Sequence, residues 1–465
     1  MRNSLRPVNR LPPEILASCA TFVSDNDPRP IVPLTHVCQY WQRSICSDPR
    51  SWASISTAWK RLAPLSLERA GAVLLTVDIT VSDIKGSEGF LESFLPHISK
   101  ISSLRVAGCL MIEVVANDLP GFFDSPMPNL TSLELQQAAE PSETFPSGGT
   151  PPLLALENVL KVRSLRLTRT PIYPTLFRIA SLRELQLVGY ANPFDFSTFI
   201  GLLRSNLNLE SIVLDIGFVA DPAEMGTTRK VPLSRLQRLS IACAKAIDSK
   251  GLLSCISFPR GVQIEVESTE WNLSASLGSF LPSPPTSIHD LVTPITTIKI
   301  QTAKRELQFF GNGSSFTFRS SRSPLNAHEW LALFPTVPVR ELQINIHRHG
   351  ITAAGLSNVM KRLPALETLA ISKGAVSPAW LVFALTEQPV LCPALKTVAL
   401  FDCDVGSDFI RELEKAMANR GNLTAAQVYR VVIVNSAGTT TLEFNKSESL
   451  FRAYVRVDEK LLDLT

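Results

Sequence analysis

One six-residue pattern constrains this chain more than any other feature. The pattern L-x-x-L-x-L, with Ile and Val allowed, starts at Leu74, Ile101, Leu130, Val162, Leu182, Leu209, Leu236, Ile295, Val339, Leu366, Leu395 and Val428. A relaxed copy starts at Gly261, followed by Ile264 and Val266. The early starts are 27, 29, 32, 20, 27 and 27 residues apart, and the last ones 27, 29 and 33. Three copies are nearly the same text: residues 128–135 (PNLTSLEL), 364–371 (PALETLAI) and 393–400 (PALKTVAL). In an extended strand successive side chains point to opposite faces, so each L-x-L sends two apolar residues into one core and the residue between them outward. A unit this short buries its apolar face only against its neighbours, so the chain is expected to stack copies side by side.

The pattern and its period resemble a leucine-rich repeat. Helical faces lie between the strand signals. Phe90, Leu91, Phe94, Leu95 and Ile98 share one, Leu356, Val359, Met360 and Leu363 a second, and Phe409, Ile410, Leu413 and Met417 a third. Ser377-Pro378 starts a further helix before Trp380 and Leu381, and Gly421 follows the end of the third. The expected fold is therefore α/β: a small N-terminal helical module, then an irregular leucine-rich-repeat solenoid, or horseshoe, with a parallel inner sheet and outer helices. Past each L-x-L a regular repeat carries a small polar residue that bonds the turn backbone. Cys109, Thr170 and Cys403 take that place here, and the other copies are degenerate. Loops are expected at 136–152, 217–232, 271–294 and 311–324 from their Gly, Ser and Pro content. Phe309-Phe310 and Phe316–Arg319 flank Gly311-Asn312-Gly313 as a hairpin would.

The first sixty residues are different. Residues 1–10 are a basic, flexible N-terminus. Leu11-Pro12-Pro13-Glu14-Ile15-Leu16 opens a helix, since proline suits a first turn and an acid there suits the helix dipole. Ile15, Leu16, Cys19 and Phe22 follow at helical spacing. Asp25–Pro30 breaks that helix, and Leu34, Val37, Cys38, Trp41 and Ile45 form one stripe of a second, over 31–47. Asp48-Pro49 ends it. A unit of this size builds little core alone and leans on a neighbour or a partner. The domains expected are 1–10, 11–60, a solenoid over 61–434, and a C-terminal cap or tail over 435–465.

Leu-Pro-Pro-Glu-Ile-Leu, then Val37-Cys38-Gln39-Tyr40-Trp41, then Asp48-Pro49-Arg50-Ser51-Trp52, resembles an F-box over about one-tenth of the chain. With Leu67-Glu68-Arg69-Ala70 leading into the first strand, the layout resembles the large F-box families of mushroom-forming fungi. The resemblance implies a three-helix module that binds a Skp1-type adaptor and, through it, a cullin–RING ubiquitin ligase. It implies adaptor contacts from Leu11, Pro12, Glu14, Ile15, Leu16, Leu34, Val37, Cys38, Trp41 and Trp52. The expected function is substrate recognition within that ligase, with the repeats holding an unknown target protein. The alternative is a repeat scaffold for protein interaction whose F-box-like segment only caps the solenoid. Exposure of Leu11, Ile15, Val37, Cys38 and Trp41 discriminates the two.

Composition fits a soluble, folded protein, and the motifs below give no catalytic constellation, so a non-catalytic chain is expected. The 45 basic and 42 acidic residues leave +3, which gives no global pull toward nucleic acid or anionic membrane. No continuous apolar run reaches membrane-spanning length, and residues 1–30 show no secretory signal. The eight cysteines form no C-x-x-C, so buried free thiols in the cytoplasm or nucleus are expected, with no cofactor and no metal. His347-x-His349 lacks further ligands, His328-Glu329 lacks a second His, and Gly311–Ser315 lacks the lysine of a phosphate loop. No G-x-S-x-G occurs.

The outward residue of each L-x-L is charged or polar in the early copies (Asp78, Arg105, Glu134, Arg166, Gln186) and small in the late ones (Ala370, Ala399). Ala370 and Ala399, with Phe401 two residues further along the same face, are therefore the expected target contact. The tail Leu442–Thr465 is the competing occupant of that face.

Overall fold

In a computed structural model, the described residues are 11–24, 31–80, 93–108, 122, 125–137, 161–170, 179–189, 194–219, 230–243, 245–268, 280–281, 296–301, 306–311, 313–320, 339–345, 353–372, 378–386, 391–401, 403, 408–409, 411–413, 415–416, 430–435, 438–445 and 450–455. The chain is mixed α/β and divides into two compact units, Met1–Ala220 and Asp221–Thr465.

The first unit begins with helices α1 (Pro13–Ser24), α2 (Ile31–Thr35) and α3 (Gln39–Ser47). The helix expected over 31–47 is thus two. Cys38 adopts an extended conformation at the start of α3, so the stripe from Leu34 to Ile45 bends at residues 36–38. A 3-10 turn, Pro49–Trp52, follows; the Asp48 carboxylate caps it by accepting from the Arg50 amide at 2.9 Å. The short strand β1 (Ser54–Ser56) and helix α4 (Ala63–Ala70) come next, and Gly71, at φ +55°, ends α4.

Strand β1 pairs in parallel with β2 (Leu75–Thr80), so the helical module supplies the first rung of the sheet. Then come β3 (Ile101–Gly108), β4 (Ser132–Gln137), β5 (Ser164–Thr168), β6 (Glu184–Val188) and, after the short β7 (Phe194–Asp195) and helix α5 (Phe196–Ser205), β8 (Ser211–Asp215). Each main strand pairs in parallel with the next in chain order. The L-x-L pairs of β4, β5, β6 and β8 are 1% exposed or less, and so is the apolar residue that opens each pattern. Each such leucine contributes ~1.5–3 kcal/mol over leaving it in water. The strand β9 (Phe218–Val219) pairs with β7 as a separate two-stranded piece. Asp195 caps α5 through the Thr198 amide at 2.7 Å. Buried Asn206 ends α5, accepting from the Leu182 amide and donating to the Leu202 carbonyl, both at 3.0 Å.

The second unit contains β10 (Val231–Pro232), β11 (Arg238–Cys243), helix α6 (Ala246–Cys255), β12 (Ile256–Ser257) and β13 (Gln263–Ser268). Strand β10 pairs with β12, and β11 with β13, in parallel. Three strands follow: β14 (Thr297–Gln301), β15 (Glu306–Gly311) and β16 (Ser314–Ser320). Strands β15 and β16 form the expected hairpin, with Gly313 at φ +75° in its two-residue turn. Its place departs from chain order. Strand β16 lies parallel beside β13, β15 runs antiparallel beside it, and β14 lies beyond, parallel to β17 (Glu341–Asn345). Arg319 of β16 bonds Glu265 of β13 and, at 3.1 Å, Glu306 of β15, so one guanidinium ties the three strands.

Chain order then resumes. Helix α7 (Ala353–Lys361), β18 (Thr368–Ser372), helix α8 (Pro378–Thr386), β19 (Thr397–Phe401) and β20 (Arg430–Asn435) follow, with β17 to β20 parallel and sequential. Helix α7 buries Leu356, Val359 and Met360, with Leu363 just past its end, as its spacing requires. The segment before β3 is instead a 3-10 turn, Leu95–Lys100; Phe94 and Ile98 are buried and Leu95 faces solvent. The tail adds β21 (Gly438–Asn445) and β22 (Leu450–Val455), antiparallel to β20 and to each other. Turn bonding occurs where expected: Thr170 Oγ1 donates to the Leu135 carbonyl at 3.2 Å, and the Cys403 thiol to the Ile371 carbonyl at 3.8 Å. Cys109, His347 and His349 lie outside the described residues, as does the loop 136–152 beyond Gln137.

Candidate functional site: an apolar surface on the helical module

Helix α1 buries Leu16, Ala17 and Ala20. Its opposite side presents Ile15, 47% exposed, and Phe22, 84% exposed, with Ser18 and Cys19 between them. Val37, just before α3, is 49% exposed, and Tyr40 is also exposed. Trp41, Leu34, Cys38 and Leu11 are half-buried, and Pro12 and Glu14 are exposed. The Tyr40 hydroxyl donates to the Leu11 carbonyl at 2.6 Å. That bond brings the Leu11-Pro12 end of α1 beside the start of α3, so the two sequence elements share one neighbourhood. Val23 and Val32 are exposed as well. Six of the large exposed apolar side chains in the described residues thus lie within residues 15–40. Clustered exposed apolar side chains mark interaction sites more often than scattered ones do.

Two residues assigned to this surface on sequence belong to the core instead. Leu16 is 1% exposed, because it sits one position beyond Ile15 and faces inward. Trp52 is buried; its Nε1 donates to the Ile45 carbonyl at 3.1 Å, and the Arg69 guanidinium lies 4.4 Å from its ring centroid. Arg69 also donates to the Cys46 thiol at 3.1 Å. Trp52 therefore fastens α3 to α4.

Asp48 fixes the turn that carries Trp52. Hydrogen bonding to the Arg50 side chain holds its carboxyl below the usual carboxylate range, against an opposing effect of partial burial. The folded value is the lower one, so this stabilisation is complete above the unfolded value near 4 and is lost as pH falls through the folded value. Asp48→Ala is expected to cost about 1 kcal/mol at neutral pH and less in acid, as acid-dependent thermal melts would show.

The second expected site is closed. Ala370, Ala399 and Phe401 do come together, with Val432 and, at the margin, Val434. Register places Ala370, Ala399 and Val432 in one row across β18, β19 and β20. They are only 6%, 4% and 2% exposed, and Phe401 is 9% exposed. Strand alternation correctly puts this row on one side of the sheet, but the row forms an apolar cluster of its own and offers no open anchor to a partner.

Among the described residues no helix is long and apolar enough to cross a membrane. The chain matches no protein-family model and no curated protein.

Proposed function

We infer that this chain is the substrate-recognition subunit of a Skp1–cullin–F-box ubiquitin ligase. In this reading the helical module is an F-box that docks a Skp1-type adaptor, and the strand array is a leucine-rich-repeat solenoid that holds a target protein. The observation that carries it is the exposure of Ile15 and Val37 beside half-buried Trp41, on elements that the Tyr40–Leu11 bond holds together. A solenoid cap would turn those side chains under the first repeat. The chain then contributes no chemistry of its own; it raises the effective concentration of a target near the ligase and orients it.

The second reading is a protein-interaction scaffold whose F-box-like segment is only a cap. Pairing of β1 with β2 favours it, since the module completes the sheet. Completing the sheet and docking an adaptor use different faces of the module, so one experiment separates them. Ile15→Ala with Trp41→Ala should weaken capture of a purified Skp1-type adaptor by roughly 2–4 kcal/mol while circular dichroism stays unchanged. A wild-type chain that captures no adaptor at all leaves the cap reading.

A further inference from the structure

We propose that strand β5 and its flanks form a basic strip that takes an extended acidic peptide segment of the target. The inference rests on the recognition reading above and names the chemistry of what is recognised. Between Lys161 and Arg183 the chain carries six basic residues and no acidic one, in a protein whose total excess is +3. Lys161, Arg163, Arg166 and Arg169 are all exposed. Arg166 points outward from the middle of β5, and Arg163 and Arg169 are exposed at the positions just before and just after the strand, each about 10 Å along the chain from Arg166 at roughly 3.3 Å per residue.

Neighbouring acids neutralise the strip only in part, at Arg166 and Arg183. Glu184 on β6 stays 3.9 Å from Arg166 and accepts from the Ser164 hydroxyl at 2.9 Å. Glu134 on β4 is held by Arg105 at 3.2 Å, and Glu210 by Arg183 at 3.2 Å. Lys161, Arg163 and Arg169 have no carboxylate partner among the described residues.

Arg169 adds a separate observation. Its φ of +55° lies in the left-handed region that favours glycine. Its stem crosses Gly189 so closely that a Cβ there would meet Arg169 Cγ at 2.8 Å. An arginine is thus held in an unfavourable backbone conformation, with its stem seated on a glycine and its side chain exposed. Strands β4, β5 and β6 carry no aromatic residue on which a base would stack, which favours a peptide over single-stranded nucleic acid.

The test is fluorescence anisotropy of the full chain with three labelled probes: a short Glu/Ser peptide, a Lys/Ser peptide of equal length, and an oligothymidylate. The acidic peptide should bind most tightly and weaken as salt rises. Arg163→Gln with Arg169→Gly should weaken it roughly ten-fold. Glycine suits the backbone at 169, so misfolding would not explain that loss. Equal binding by the double variant, preference for the oligonucleotide, or no binding of the acidic peptide would overturn the proposal. Adaptor capture is measured on the same preparations. Its absence in the wild-type chain counts against the ligase reading alone, and a wild-type chain that captures the adaptor but does not bind the acidic peptide counts against the strip alone.

Discussion

Trp52→Ala is expected to unfold the N-terminal helical module, at a cost of about 3–5 kcal/mol. Three effects add. The indole is 2% exposed, so its removal leaves a cavity between α3 and α4. The Ile45 carbonyl loses the donor that reaches it at 3.1 Å. Arg69 loses the ring 4.4 Å beneath it and keeps its bond to the Cys46 thiol. Trp52 also stands two residues before β1, whose Ile55 is 1% exposed and pairs with Val77 of β2. Loss of the module should therefore loosen the first rung of the sheet. Hydrogen exchange should accelerate over residues 39–56 and 75–80 and change little in β5 and β6. Trp52→Phe keeps most of the apolar volume and loses the N–H, so about 1–2 kcal/mol is expected. Equal exchange in Trp52→Ala and wild type would show that the indole is not a fastener. On the proposed F-box reading, the same variant should lose adaptor capture by unfolding, whereas Ile15→Ala should weaken it while folded. That contrast separates the two roles that a short motif merges.

The strands were legible because a two-residue alternation repeated at a steady interval leaves little freedom. Every pattern start, from Leu74 to Val428 and including the relaxed copy at Gly261, lies at or just before a strand. Other features lacked such a signal. The two-residue strands β7, β9, β10 and β12 are too short to show any period. Helix α5 was announced by Asp195 ahead of Ser197 and Thr198, a capping pattern that was open to reading. The break between α2 and α3 was not: Val37 and Cys38 fit a helical stripe, and only the extended backbone at Cys38 interrupts it. Within the candidate site, spacing identified the surface around Ile15, Val37 and Trp41. It did not separate Ile15 from Leu16, because adjacent helix positions differ by about 100° in direction and the motif contains both. Position in the β14–β16 segment was equally hidden. The hairpin turn is local, but which neighbour β16 joins depends on contacts such as that of Arg319 with Glu265, 54 residues apart.

Ala399→Arg is expected to destabilise the second unit by several kcal/mol, a different outcome from that of an open binding face. Alternation assigns the side of a strand on which a residue lies, and whether that side is covered depends on what packs there. Ala399 pairs with Ala370 on one side and Val432 on the other, and all three are nearly inaccessible. A guanidinium at 399 meets two penalties. Extra volume in a packed cluster costs about 1–3 kcal/mol. An unpaired buried charge costs several more unless the side chain reaches water past its neighbours. Gln343→Arg is the matched control. Gln343 lies in the same row, paired with Ala370 across β17 and β18, but it is half-buried and its amide already donates to Glu341 at 2.8 Å. Arginine there has water and a carboxylate within reach, so less than about 1 kcal/mol is expected. Hydrogen exchange over β18 to β20 reads the difference locally, which suits a chain of two compact units better than a single melting temperature. Fast exchange in Ala399→Arg with near-normal exchange in Gln343→Arg identifies the cluster as structural. If both variants exchange like wild type, the face yields readily, and Ala370, Ala399 and Phe401 return as contacts for a partner.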